Sequence, residues 1–343
     1  MTVKVIHWGL GAMGGQMAEL VATKKGITSV GAIDLDPNKV GKPMAELFEG
    51  QTNEVKVSDD ATKVLNEKAD LVIIATGSFT EEVYPLVEQA LNSKKNVICI
   101  AEEMAFPAQQ QPKLAAQLDE LAKKNNVTLL GTGINPGFVL DLQIIALTGV
   151  CYDVQRIEAA RVNDLSPFGP TVMKTQGVGT SVEEFNKGIE DGSIVGHVGF
   201  PESMAMVAKS LGWELDEIKE TKEPIISNTH RKTKYVEVQP GMVAGCKHIA
   251  YGIKDGETII KMEHPQQILP ETEGIDTGDY INIFGTPEVN MAIKPEIPGG
   301  IGTVSVAVNS IANVINAEPG LVTMADLPVP AAIMGDIKDR IKK

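Results

Sequence analysis

The sequence predicts an α/β protein with a doubly wound parallel sheet at its N-terminus and a second, α+β domain on a mixed or antiparallel sheet. Three observations carry this expectation. Over the first 135 residues, short β-branched runs alternate with amphipathic helical stretches, the pattern of parallel βαβ units. A glycine-rich turn joins the first strand to the first helix. After Gly137 the helical stretches thin out, and strand candidates joined by turn signals take over. A length of 343 residues accommodates about two such domains.

Val3–Trp8 is the first strand, and Met13–Lys24 a helix with Met17, Leu20 and Val21 on one face. Ile27–Ile33 is the second strand. The unbroken apolar run at Ala69–Ala75 marks a strand buried on both faces. Thr80–Ser93 then reads as helix, Asn96–Ala101 as strand, Pro112–Asn125 as helix and Val127–Gly131 as strand. Further strands are expected over Val154–Asn163, Glu214–Ile226, Tyr235–Val238, Met242–Ile253, Glu257–Met262, Asp279–Phe284 and Val289–Ile293. Gln239-Pro240-Gly241 and Asp255-Gly256 supply turns between them. Helices at Ser181–Glu190 and Pro201–Leu211 interrupt the series, and Gly299–Asn316 is a small-residue helix expected to return to the first domain. The expected division is therefore a dinucleotide-binding domain over 1–135, completed by 299–343, and a substrate-binding and dimerisation domain over 136–298.

Composition narrows the function classes. An apolar content of 43% excludes a disordered chain. Thirty-one basic against 45 acidic residues leave a net charge of −14, which argues against a nucleic-acid or anionic-membrane surface. No apolar run approaches the roughly 20 residues of a membrane helix. Cys99, Cys151 and Cys246 form no CxxC pair, so neither a disulfide framework nor a zinc knuckle is expected. The N-terminus enters a strand directly and shows no secretory segment, so a cytoplasmic protein is expected. The 33 glycines suit a fold in which backbone must approach a ligand.

Gly9-Leu10-Gly11-Ala12-Met13-Gly14 matches G-x-G-x-x-G between the first strand and first helix, the Rossmann fingerprint. Gly9 permits the tight turn, Gly11 lets backbone approach a pyrophosphate, and Gly14 lets helix pack on strand. Asp34, 20 residues after Gly14, ends the second strand where an acid accepts hydrogen bonds from a ribose. A carboxylate there favours NAD over NADP, although Lys39 could reach a 2′-phosphate. Ala75-Thr76-Gly77-Ser78 closes the next long strand, where the cofactor's second half should lie.

The strand at Asn96–Ala101 delivers Glu102 and Glu103 beyond its carboxyl end, the position of ligands in open α/β sheets. A carboxylate half-buried there would exchange protons near neutrality, and strand alternation lets one of the two point at a ligand. Asn135, in the loop Gly131–Phe138, could bind a substrate head group. Arg161 and Asn163 share one strand face and could hold a carboxylate. His197 and His264 sit in glycine and proline settings as pocket candidates, His7 reads as core, and His230 and His248 as exposed. No metal-ligand spacing and no Gly-x-Ser-x-Gly is present, so neither a metal nor a serine hydrolase is expected.

Six longer segments resemble the 2,4-diaminopentanoate dehydrogenase family. They are Val5–Gly14, Ile100–Pro107, Gly131–Asp141, Asn163–Lys174, Glu263–Ile268 and Lys294–Thr303, so the resemblance runs nearly end to end. It implies a fold related to dihydrodipicolinate reductase and to native amine dehydrogenases. It also implies NAD(P)-dependent deamination of the 4-amino group of 2,4-diaminopentanoate to 2-amino-4-oxopentanoate and ammonia, in ornithine fermentation. A glutamate at the end of the strand is the family's catalytic group. Related folds place the working residue second in the pair, which ranks Glu103 ahead of Glu102. Asn135, Arg161, Asn163, His197 and His264 become expected substrate-pocket residues, and Phe168 stands where some relatives carry Tyr. A homodimer is implied. The alternatives are a reductase of the dihydrodipicolinate or homoserine dehydrogenase type, whose His-His-x-x-Lys motif is absent, and a dinucleotide sensor without turnover.

Overall fold

A computed structural model describes residues 2–52 and 54–342. Met1, Asn53 and Lys343, which fall within the spans expected for the first domain, lie outside the described residues. The chain divides into two units, the first formed by Met1–Leu142 with Pro298–Lys343 and the second by Gln143–Ile297. The first unit thus keeps the loop 132–141.

In the first unit, β1 (Val3–Trp8), α1 (Ala12–Ala22), β2 (Ile27–Ile33), α2 (Met44–Leu47), β3 (Val57–Ser58) and α3 (Ala61–Leu65) come first. Then follow β4 (Leu71–Ile74), α4 (Thr80–Asn92), β5 (Asn96–Cys99), α5 (Pro112–Asn125), β6 (Thr128–Gly131) and α6 (Leu142–Thr148), the last running into the second unit. The four residues of β4 are all buried, as its unbroken apolar run requires. In α4, Val83, Val87, Ala90 and Leu91 recur at helical spacing and pack with Val72, Ile74 and Val97 of the sheet.

The second unit contains β7 (Asp153–Asp164), α7 (Pro170–Thr175), α8 (Val182–Glu190), α9 (Phe200–Leu211), β8 (Glu217–Ile226), β9 (Arg231–Lys232) and β10 (Glu237–Val238). It closes with β11 (Val243–Lys254), β12 (Glu257–Gln267), β13 (Gly278–Thr286) and β14 (Val289–Ile293). A six-stranded sheet has the order β14-β13-β7-β12-β11-β8, with β12 and β7 parallel and the other neighbours antiparallel. Ser181 starts α8 with a reciprocal cap: its hydroxyl accepts the Glu184 N–H at 3.1 Å, and the Glu184 carboxylate accepts the Ser181 N–H at 2.8 Å. The mixed sheet bears out the expected fold class.

The chain returns to the first unit as α10 (Gly299–Asn309), α11 (Ile311–Asn316) and β15 (Gly320–Val322). Its seven strands, ordered β15-β6-β5-β4-β1-β2-β3, are all parallel. The winding direction reverses between β1 and β4, so a crevice opens beyond their carboxyl ends. The glycine-rich turn and Ala75–Ser78 lie at those two ends.

Two differences from the expected elements have physical causes. β15 went unanticipated because three residues are too short for a periodic signal; pairing with β6 makes it a strand. β12 was expected to stop at Met262, ahead of Pro265, but runs on to Gln267. Proline cannot donate to a ladder, and the pairing with β7 is interrupted after Glu263 and resumes at Gln266 opposite Asn163. Antiparallel pairing with β11 carries the strand across that gap. Among the described residues no helix is long and apolar enough to cross a membrane.

Candidate active site

The first unit holds a cradle whose shape is set by glycine. Gly9 has φ +86°, and a Cβ there would lie 2.4 Å from the Ala75 carbonyl oxygen, so the ends of β1 and β4 touch through backbone. A Cβ on Gly14 would lie 1.8 Å from the Gly9 carbonyl oxygen. Gly11 instead faces open space, and as the N-cap of α1 it brings no capping side chain to the first-turn N–H groups. Backbone N–H donors with no capping side chain, at the positive end of a helix dipole, fit a pyrophosphate. Leu10 is buried in the core, Ala12 is exposed, and Met13 lies against Gly300 of α10.

Asp34 accepts the Leu10 N–H at 2.7 Å and the Asp36 N–H at 2.8 Å. Burial pushes its carboxyl up, but these two hydrogen bonds and the Lys39 ammonium outweigh it, and the carboxyl stays below its ordinary value. Lys39 lies 3.4 Å from Asp34 and 3.5 Å from Asp36, so its charge is shared between two carboxylates. Leu35, not singled out from the sequence, is 80% exposed beside Asp34, an apolar surface suited to an adenine face. Its one signal was position, directly after the acid at the strand end. Ala75 continues the sheet by donating its N–H to Trp8, and Ser78 donates its N–H to Glu82 at 3.2 Å.

The two glutamates after β5 differ sharply in their surroundings. Glu103 is 4% exposed; its carboxylate accepts the Thr80 N–H at 2.5 Å, capping the start of α4, and its own N–H donates to Ser78 O. Glu102 is half-buried. Burial raises its carboxyl pKa above the ordinary range and the nearby Glu82 charge adds to this, while its own N–H and the Ser78 hydroxyl pull the other way. A carboxylate so placed is a stronger base than an exposed one. Farther on, the Asn135–Pro136 bond is cis, and the loop is tied by the Gly137 N–H to buried Asp141 at 2.6 Å and by the Ile134 N–H to Thr303 of α10 at 3.2 Å.

The second unit carries a polar row across its sheet. Asp279, Arg161, His264, His248 and Lys222 fall in line on β13, β7, β12, β11 and β8. Arg161 is 2% exposed and donates to Asp279 at 2.9 Å and to the Ile297 carbonyl. The guanidinium fork, expected to face a substrate carboxylate, here serves a buried ion pair. Burial lowers the Arg161 pKa despite Asp279 and Glu296, and raises that of Asp279 despite Arg161. Asn163 is buried, and its Oδ1 finds no hydrogen-bond partner among the described residues.

His197 and His264 meet edge to face, with ring centroids 4.8 Å apart. Burial, then the charges of His248 and Arg161, pushes His197 down to about 3; burial likewise carries His264 well below its ordinary value. Both are neutral imidazoles near pH 7, and neither ring nitrogen of His264 is hydrogen-bonded among the described residues. His248, expected at the surface from its charged neighbours, is 1% exposed, because alternation on β11 turns it inward. His230 is exposed and bonds Glu237, and His7 is core, bonded to Ser29 and lowered by burial to about 4. Phe168 packs against Leu165, Met173 and Ile268. The fold thus gathers Arg161, His197 and His264 with the unanticipated His248 and Asp279, and sets Asn163 beside Gln266.

Residues 138–343 match the model of the 2,4-diaminopentanoate dehydrogenase C-terminal domain, and residues 3–127 that of the dihydrodipicolinate reductase N-terminus. A 2,4-diaminopentanoate dehydrogenase of Acetoanaerobium sticklandii is 48% identical over 345 residues, covering 99% of this chain and 98% of that protein. An amine dehydrogenase of Streptomyces virginiae is 26% identical over 96% of this chain and 98% of its own. The solved structure of an amine dehydrogenase from Mycobacterium smegmatis superposes with a TM-score of 0.83 at 26% identity, covering 96% of each chain. The resemblance read from the sequence motifs is borne out by these matches.

Proposed function

The chain belongs to the 2,4-diaminopentanoate dehydrogenase family, and from that premise we propose its reaction and the residues that perform it. It is an NAD(P)-dependent oxidoreductase that acts on a CH–NH2 donor. It removes the 4-amino group of 2,4-diaminopentanoate to give 2-amino-4-oxopentanoate and ammonia, reversibly. The observation that carries our assignment of the chemistry is Glu102, half-buried with a raised pKa at the carboxyl end of β5.

The N–H groups of the Gly9–Gly14 turn would hold the pyrophosphate, Asp34 the adenosine ribose, and Ala75–Ser78 the second half of the cofactor. Bound there, the nicotinamide supplies the acceptor for the hydride that leaves C4. Glu102 takes a proton from the 4-ammonium group, leaving the neutral amine from which hydride departs. After releasing that proton to solvent, Glu102 takes a proton from the water that adds to the C4 iminium and passes it to the carbinolamine nitrogen. It then takes the C4 hydroxyl proton as the C–N bond breaks, so that the ketone forms and ammonia leaves. Ser78 holds the carboxylate in place. NAD is favoured over NADP because the Asp34 carboxylate, only partly offset by Lys39, repels a 2′-phosphate.

On the second unit, His264, Asn163 and His197 are assigned to the amino acid end of the substrate. Neutral imidazoles and an amide can donate to its carboxylate and accept from its 2-amino group. Arg161 supports them with charge rather than by direct contact, and Asn135 remains a candidate contact in the first unit. We further propose a homodimer, formed through the second unit's six-stranded sheet. A cytoplasmic location, supported by the thiols of buried Cys99 and Cys246, and a place in ornithine fermentation complete the reading.

The test is NADH oxidation with 2-amino-4-oxopentanoate, followed by absorbance with and without ammonia. Ammonia-dependent loss of NADH is expected. No change with NADH or NADPH would favour a sensor, and a reaction independent of ammonia would favour an alcohol dehydrogenase.

A further inference from the structure

We propose that His248, oriented by Glu220, is a positioning residue that fixes the turn 196–199 and so holds the His197 ring against His264. This rests on the assignment of His197 and His264 to substrate recognition.

His248 Nδ1 lies 3.0 Å from the backbone nitrogen of His197, and its Nε2 lies 3.1 Å from the Glu220 carboxylate. A backbone N–H only donates and a carboxylate oxygen only accepts. The ring is therefore held as the Nε2–H tautomer, with the Nδ1 lone pair turned to His197. A proton on Nδ1 would set two N–H groups against each other. The turn has no slack to avoid such a clash. Gly196 sits at φ +70° with the place of a Cβ only 3.0 Å from His248 Nδ1, and Gly199 sits at φ +118°. The Gly196 carbonyl accepts from Gln176 Nε2 at 2.8 Å. Phe200 wedges its ring edge to face against both His197, at 4.7 Å, and His248, at 5.0 Å.

The outer end of this chain reaches solvent. Glu220 lies on β8, at one end of the sheet order, with its side chain 31% exposed, while His248 is buried. Other groups facing the ring are Lys222, across from it on β8, and His264, across from it on β12. Neither bonds it. A surface carboxylate thus selects which nitrogen of a buried ring carries the proton, and that choice decides whether the His197 N–H has an acceptor.

The experiment uses the full-length enzyme. Nitrogen NMR of the His248 ring should show protonation at Nε2 alone; protonation at Nδ1, or at both nitrogens, at neutral pH overturns the proposal. Glu220→Gln still accepts from Nε2–H through its amide oxygen and should keep the KM for the diamino acid within about twofold. Glu220→Lys can only donate, should invert the tautomer, and should raise that KM roughly tenfold or more with the KM for NAD unchanged, as for one buried donor stripped of its acceptor. His248→Asn places a carbonyl oxygen near Nδ1, should keep the KM within about threefold, and should make Glu220→Lys silent in its background. An equal effect of Glu220→Lys in both backgrounds, or an unchanged KM with the tautomer inverted, overturns the positioning role. His197→Ala separates the two levels: an unchanged KM there, with the tautomer confirmed, sinks the recognition assignment and leaves the hydrogen-bond chain as a structural device.

Discussion

Two adjacent glutamates with different surroundings give the sharpest expectation at the scale of single residues. Glu102→Gln removes the group that moves protons and should lower kcat by roughly 10²–10⁴, with the Kd for NAD within about twofold. Glu103→Gln keeps an oxygen for the Thr80 N–H, so it should cost about 1 kcal/mol of stability and leave kcat at least tenfold above that of Glu102→Gln. Reversed outcomes in steady-state kinetics would return the role to Glu103. Deamination needs Glu102 ionised, and its pKa is raised by burial first and by the Glu82 charge second. Activity in that direction should therefore fall as pH drops through a value above the ordinary carboxylate range. Glu82→Gln removes the repelling charge and should move this acid limb of kcat/KM to lower pH; a limb that moves upward would mean that another group titrates.

Elements were more legible than residues. β1, β2, α5 and β14 match their expected bounds, because apolar period and punctuation agree there: Pro112 opens α5, and Asn126, left-handed at φ 57°, closes it. The G-x-G-x-x-G spacing identified the cradle for the same reason, since close backbone approach demands glycine wherever it occurs. Gly14→Ala should therefore push α1 off β1, cost about 1–3 kcal/mol and weaken NAD binding tenfold or more, measurable by thermal melting and titration. A variant with both unchanged would show that the contact yields easily. Side-chain direction was not legible. No local pattern reveals that Asp279 lies across a strand from Arg161, or that His248 faces inward, because both follow from long-range register. Glu102 and Glu103 looked alike in sequence because what distinguishes them is Thr80, 23 residues earlier.

At the scale of the whole molecule, the chain leaves the first unit after Leu142 and re-enters it at Pro298. β15 completes the parallel sheet beside β6, and α10 packs on α1. A chain ending at Ile297 would lack all three returning elements. It should lose NAD binding and become protease-sensitive within residues 1–142, while 143–297 stays protected. Limited proteolysis read by mass spectrometry decides this, and a resistant N-terminal segment would show that the returning elements are dispensable. The return at Gly299 was legible from a small-residue helical pattern; the closing strand was not, because its partner makes it.

That return also sets a schedule for biosynthesis. A ribosome finishes the second unit, up to Ile297, before it has made α10, α11 or β15. The unit assigned to the substrate can consolidate while the first-made strands still wait for a last neighbour. The glycine turn, translated before the second unit, therefore gains its full nucleotide-binding scaffold only once residues 298–343 have followed.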